Sequence, residues 1–186
     1  MTCMTTSRAI SNIEELIPQR SPIIMVDELL EVVGDECTCR LCVREDNFFM
    51  EEDEQMAEPG VIEHIAQSAS AFAGYRAVAE GATEPPVGYI GEVKNFRLYR
   101  RPKLGEILQT TIVMGATVAG VTIISGTTLV GEEIIANLDI EAKTAEHHRL
   151  HIAVLANLAK EFADNLIEDH EIREVLKKKL YAAGIS

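Results

Sequence analysis

Residues 61–79 contain nine Ala, Ser or Gly in nineteen positions, between Pro59-Gly60 and Gly81. Proline just inside a start and glycine just past an end mark a helix over 59–80. Small side chains on several faces let neighbouring backbone come close on more than one side. A helix that is apolar all round belongs inside other structure, not on an outer surface. The rest of the chain must therefore wrap it, and the rest reads as strands. Residues 23–33 are rich in β-branched and apolar side chains and stop at Gly34-Asp35, a hairpin turn to 37–44, where apolar and polar positions alternate. After the helix, four strands are expected over 87–100, 106–116, 120–130 and 133–141. Ahead of the first strand, 13–17 forms a short amphipathic turn or helix, and Pro18 and Pro22 enforce an extended connection. The order gives an α+β chain, an antiparallel sheet with one helix segregated to a face. It has no βαβ alternation and no glycine fingerprint for phosphate, which argues against Rossmann and P-loop architectures. From about His147 the rhythm turns helical, with Ile152, Leu155, Leu158, Ala159 and Phe162 followed by Ile172, Val175, Leu176 and Leu180. Residues 1–145 are thus expected as one domain and 146–186 as a C-terminal helical extension.

Charge narrows the partners. The 186 residues carry 17 Lys and Arg against 30 Asp and Glu, a net charge of −13. Such a surface repels phosphate backbones, so no nucleic-acid partner is expected. No run of apolar residues is long enough to span a membrane, and residues 1–12 lack the apolar stretch of a signal peptide. Cys3, Cys37, Cys39 and Cys42 read as reduced thiols of a cytoplasmic protein. A strand puts Cys37 and Cys39 on one face and Cys42 on the other. His147 and His151 are four apart but have no accompanying carboxylate pattern and read, with His148, as a solvated helix start. No metal and no cofactor are expected. The charge is also unevenly spread: 44–58 holds seven acids and one base, and 94–103 holds Lys94, Arg97, Arg100, Arg101 and Lys103 with no acid.

Several short stretches together resemble the hotdog-fold 3-hydroxyacyl-acyl-carrier-protein dehydratases. Leu16-Ile17-Pro18-Gln19-Arg20-Ser21-Pro22, followed by Ile24-Met25-Val26-Asp27, is similar to the family's Leu-Pro-His-Arg-x-Pro opening and its Leu-Val-Asp strand. Phe48-Phe49 stands where the family has a Phe pair, and Pro59-Gly60-Val61-Ile62-Glu63-His64-Ile65-Ala66-Gln67 resembles its central-helix motif of Glu, two residues, Ala-Gln. Gly91 and Gly105-Glu106 match weaker glycine positions. The likeness covers 13–143. It implies a curved antiparallel sheet wrapped around a long central helix, working as a dimer with an acyl tunnel between subunits. One element departs from it. Active dehydratases carry a Gly-His-Phe-Pro loop whose His is the catalytic base; here Glu51-Glu52-Asp53 stands in its place, and no His precedes His64. In this the chain is closer to the divergent dehydratase-like subunits of the aryl-polyene type.

Dehydration of a 3-hydroxyacyl thioester needs a base for the α-proton and an acid for the departing hydroxyl. The resemblance makes Glu63 the carboxylate of that site, with His64 as the one nearby imidazole and Gln67 and Gly60 as substrate-binding candidates. Adjacent helix residues diverge by about 100°, so Glu63 and His64 do not face one pocket on a regular helix. Gln67 lies one turn beyond Glu63 on the same face, within reach of Glu63 or of substrate. A first-turn carboxylate, a packed histidine and an ordinary helix glutamine are the structural alternatives. Arg97, Arg100 and Arg101 are expected to dock an acidic acyl carrier protein and the phosphate of its phosphopantetheine arm; a solvated face with scattered ion pairs is the plain alternative. The function implied is a fatty-acyl or polyketide-type 3-hydroxyacyl-carrier-protein dehydratase or dehydratase-like subunit, as a homodimer or paired with a related dehydratase. A non-catalytic acyl-binding partner of a complete dehydratase and an acyl thioesterase are the other two readings, since fold alone does not separate them.

Overall fold

The small-residue segment is a single helix, α1 (Glu58–Ala79), in the structure, a computed structural model that describes residues 5–6 and 9–144. Around it runs a seven-stranded antiparallel sheet. Its strands are β1 (Thr5–Thr6), β2 (Glu28–Val33), β3 (Glu36–Cys42), β4 (Gly88–Leu98), β5 (Ile107–Val118), β6 (Val121–Val130) and β7 (Glu133–Thr144), in the spatial order β1-β2-β3-β5-β6-β7-β4. The helix packs against every strand from β2 to β7. A sheet meets one helix from so many strands only if it bends, and breaks of register in β2, β4, β5 and β6 supply local bends. This is the hotdog arrangement that the resemblance implies. The helical extension expected over 146–186, with its three clustered histidines, lies outside the described residues.

The small residues of α1 have the close neighbours that their size foretells. A Cβ at Gly74 would lie 1.9 Å from the carbonyl oxygen of Leu16, so the segment ahead of β2 crosses the helix in direct backbone contact. A short 3₁₀ turn over Ile13–Glu15 leads into that crossing, where Leu16 and Ile17 are buried. Ile65 and Phe72 from the helix meet Leu29, Leu41, Ile112 and Ile140 from the sheet in one core. Cys37 and Cys39 point into it; the hydrogen bond with the Cys39 thiol, and then burial, keep Cys37 protonated.

One expected strand is shorter than its sequence suggests. Residues 23–27 match a strand in composition, but β2 begins only at Glu28. From Ile23 to Met25 the backbone is bonded elsewhere. The carboxamide of Gln67 accepts from the Met25 N–H (2.7 Å) and donates to the Ile23 carbonyl (2.7 Å), replacing ladder bonds with bonds to the helix. Asp27 closes the segment by accepting from the Cys42 N–H (2.7 Å) and from both terminal nitrogens of Arg44 (2.8 and 2.9 Å).

Candidate active site

One face of α1 is left uncovered by the core. Glu63, Ala66, Ala69 and Ala73 line a cavity of about 450 Å³ whose far wall includes Met114, Ile124 and Ile140. The alanines give this cavity its room, so the same small residues that admit close backbone at Gly74 leave open space one face away. Its ionisable lining side chains are Glu63 and Arg76. They are thirteen residues apart, about 20 Å at the rise of an α-helix. The wall between them is mostly apolar, as a slot for an acyl chain must be. At the far end Arg76 donates to the Gly34 carbonyl and to Asp35 (2.7 Å each), with its guanidinium carbon 4.4 Å from the centre of the Phe72 ring.

Glu63 is positioned from behind. Gln67 donates to its Oε1 at 2.7 Å, and the same nitrogen donates to Ile23. Both N–H groups of that carboxamide are then spent, and Gln67 is fully buried outside the cavity lining. Of the two partners expected for it, the structure shows Glu63. Gln67 thus ties the carboxylate, the helix and the segment before β2 into one rigid unit.

His64 points the other way, into the core. It is completely buried; its Nδ1 lies 2.6 Å from the Met25 carbonyl and its Nε2 2.8 Å from the Thr110 hydroxyl, which in turn meets Thr128 at 2.8 Å. A neutral ring protonated at Nδ1 satisfies both contacts. Burial pulls its pKa down to about 4, against a smaller opposing pull from the Met25 carbonyl and Asp27. His64 is absent from the cavity lining, so among the described residues the cavity has a carboxylate and no imidazole. Gly60 is also outside it. A Cβ there would lie 2.5 Å from Cβ of Phe49 and 2.8 Å from Cγ of Met56, and its N–H donates to Ala57 at 2.9 Å. It seats the helix start on the Phe48-Phe49 loop.

The acidic and basic runs meet each other. Arg101 bonds Glu51 (2.6 Å) and Asp53 (3.0 Å) and the carbonyls of Gln55 (3.1 Å) and Met56 (3.0 Å), holding the acidic loop in place. Arg100 lies between Glu106 (2.8 Å) and Glu133 (2.9 Å), and Lys94 between Glu92 and Glu141. Arg97 is exposed and has no acidic partner among the described residues. Of the three arginines expected to receive a carrier, Arg97 is therefore the one whose charge is not already engaged.

Two cavity residues were not anticipated. Arg76 reads in sequence as a helix-end cation. Gln19 carried a signal: it occupies the His position of the family's Leu-Pro-His-Arg opening. It lines the cavity with Glu63, and its buried Oε1 has no hydrogen-bond partner among the described residues.

Comparison with known proteins agrees with this fold. The sequence profile of one family, ApeP-like (ApeP dehydratase), matches residues 11–148. Among solved structures, the dehydratase heterocomplex ApeI:P from Xenorhabdus doucetiae is similar with a TM-score of 0.69 and 13% identity, over 76% of this chain and 96% of that one. A sigma28-regulated virulence protein from Campylobacter jejuni follows at 0.55 and 12%, over 74% and 90%. An uncharacterized protein from Pyrococcus horikoshii gives 0.54 and 14%, over 74% and 96%. A separate short likeness is to small ribosomal subunit protein uS3 of Clostridium botulinum, 67% identical over 27 residues, 14% of this chain. The chain spans only 12% of the length of that curated relative.

Proposed function

Since this chain belongs to the ApeP-like dehydratase family, we propose that it is the carboxylate-bearing subunit of a 3-hydroxyacyl dehydratase acting on acyl chains held as thioesters on an acyl carrier protein. The observation that carries this reading is the cavity itself: an apolar slot with Glu63 fixed in its wall and no imidazole among the described residues. Elimination needs two groups. A base takes the α-proton, the C–H electron pair becomes the new double bond, and the C–O bond breaks as the departing hydroxyl takes a proton and leaves as water. In this reading Glu63 gives that last proton. The α-proton falls to a group not found among the described residues of this cavity, and a related dehydratase subunit that keeps its loop His supplies that group across a dimer interface. The similarity to a structure that is itself a dehydratase heterocomplex supports such pairing. No cofactor enters this chemistry. Arg97, at the exposed surface, receives the acidic carrier with its phosphopantetheine arm, working in the cytoplasm.

The test compares the full chain alone, the chain with the hotdog dehydratase that co-purifies with it, and that complex carrying Glu63→Gln. Each is incubated with a 3-hydroxyacyl carrier-protein conjugate, and loss of water is followed by intact mass. The chain alone should not turn over, the complex should, and Glu63→Gln should slow the complex by about 100-fold or more, the range for losing a positioned acid or base. Full activity of the Glu63→Gln complex would sink the assignment, and release of a free carrier thiol would point to thioester hydrolysis.

A further inference from the structure

We infer that Gln19 binds the 3-hydroxyl group of the substrate and presents it to Glu63; this rests on the dehydratase reading above and names a second residue at the same site. Three observations meet at this position. Gln19 lines the cavity that Glu63 lines. Its Oε1 is the one buried side-chain nitrogen or oxygen among the described residues that has no hydrogen-bond partner. And its backbone is held: Arg20 donates to the Gln19 carbonyl at 2.7 Å and to the Ile17 carbonyl at 2.8 Å, just after Leu16 and Ile17 are pinned against α1.

An unpaired buried carboxamide oxygen is costly, and side chains of similar size without it, such as Leu or Met, fill the same volume at no such cost. A group retained in that state in a ligand cavity points to a ligand that completes it. The chemistry of the reaction says which part of the ligand. The hydroxyl that leaves must lie at Glu63, in an otherwise apolar acyl chain. A hydroxyl both donates and accepts, so either face of a carboxamide serves it. When the substrate hydroxyl donates its hydrogen to Gln19 Oε1, its oxygen lone pairs are free to take the proton from Glu63. Gln19 keeps its own protons throughout, because a carboxamide has no titration in the working range. It therefore orients the leaving group and does not stand in for the missing base.

The same contact makes the site selective for a 3-hydroxyacyl chain over its saturated counterpart, because a site built to pair a hydroxyl disfavours the analogue that lacks it. The test uses the full chain as wild type and as Gln19→Leu. Binding of 3-hydroxyoctanoyl-pantetheine and octanoyl-pantetheine is measured by calorimetry, and each ligand-free protein is melted. The wild type should prefer the hydroxylated thioester by about tenfold, the effect of one good hydrogen bond. Gln19→Leu should bind both with the affinity the wild type shows for octanoyl-pantetheine. Without ligand it should melt no lower than wild type, since among the described residues no protein group bonds the oxygen that is removed. A Gln19→Leu protein that keeps the hydroxyl preference, or that melts lower than wild type, overturns the inference and leaves the dehydratase reading standing. Failure of the wild type to bind either thioester overturns both.

Discussion

A pH titration of stability tests the placement of His64 and with it the finding that, among the described residues, no imidazole lines the cavity. In the folded protein the ring is fully buried and its pKa is pulled down to about 4 by that burial. In the unfolded chain the same ring titrates near its ordinary value of about 6.5. Between those two values the unfolded state holds the extra proton and the folded state does not, so stability rises with pH across the window. The contribution is fully present above the unfolded pKa and is lost as pH falls from there towards 4. Each unit of difference is about 1.4 kcal/mol, so the whole window is worth about 3 kcal/mol, with most of it gone by pH 4.5. Carboxylates add their own slope at the acid end; Asp139, held down by hydrogen bonds from Asn95 and Ser125, is one. A second protein removes that background. His64→Gln has similar volume and keeps one donor or acceptor for Met25 or Thr110, but it cannot titrate. Urea unfolding at pH 7.5 and 4.5 should show wild type losing about 2–3 kcal/mol more than His64→Gln. Equal losses would mean that His64 is charged or hydrated in the folded state, and the ring would return as a candidate base.

Two further outcomes follow from packing and charge. Gly74→Ala places a methyl 1.9 Å from the Leu16 carbonyl oxygen; because both partners are backbone, relief requires the Leu16–Ile17 crossing to lift off the helix. A loss of about 3 kcal/mol or more, at the upper end of overpacking costs, is expected as a fall in Tm or in urea midpoint. For the carrier, Arg97→Glu should weaken binding of an acyl carrier protein about fivefold at low salt, with the difference gone at 0.5 M salt where exposed charges are screened within a few ångströms. Arg100→Glu sets a carboxylate against Glu106 and Glu133, so its first effect should be on stability, read by the same urea titration.

How much of this was legible in the sequence depended on whether a property is local. The buried helix was, because a proline, a glycine and nine small residues between them act within one segment. The hairpin at Gly34-Asp35 and the strands from β4 to β7 were, because alternation and turn residues are read from neighbours. The start of β2 was not: the composition of 23–27 is strand-like, and the reach of Gln67 across 42 and 44 residues, with His64 on the Met25 carbonyl, takes its backbone to the helix. Glu63 and Gln67 were legible as a pair at helical spacing, whereas the cavity beside them was not, since its far wall comes from three strands more than forty residues on.

Charge shows the same limit and bears on function. The acidic run near 51–54 and the basic run over 94–103 read as two separate surfaces, one replacing a catalytic loop and one awaiting a partner. In the fold they face each other, and Arg101 spends its guanidinium on Glu51, Asp53 and two backbone carbonyls. The loop that stands where the resembling dehydratases carry their base is here an ion-paired clasp fixed to the segment between β4 and β5, with Glu51 and Asp53 engaged by Arg101. Restoring a histidine to that loop would therefore put it on a segment whose position is set by Arg101, with no cavity residue among its fixed partners. The pairing proposed above fits this geometry: the described residues supply a carboxylate and an apolar slot, and in the proposed complex the imidazole arrives on another subunit.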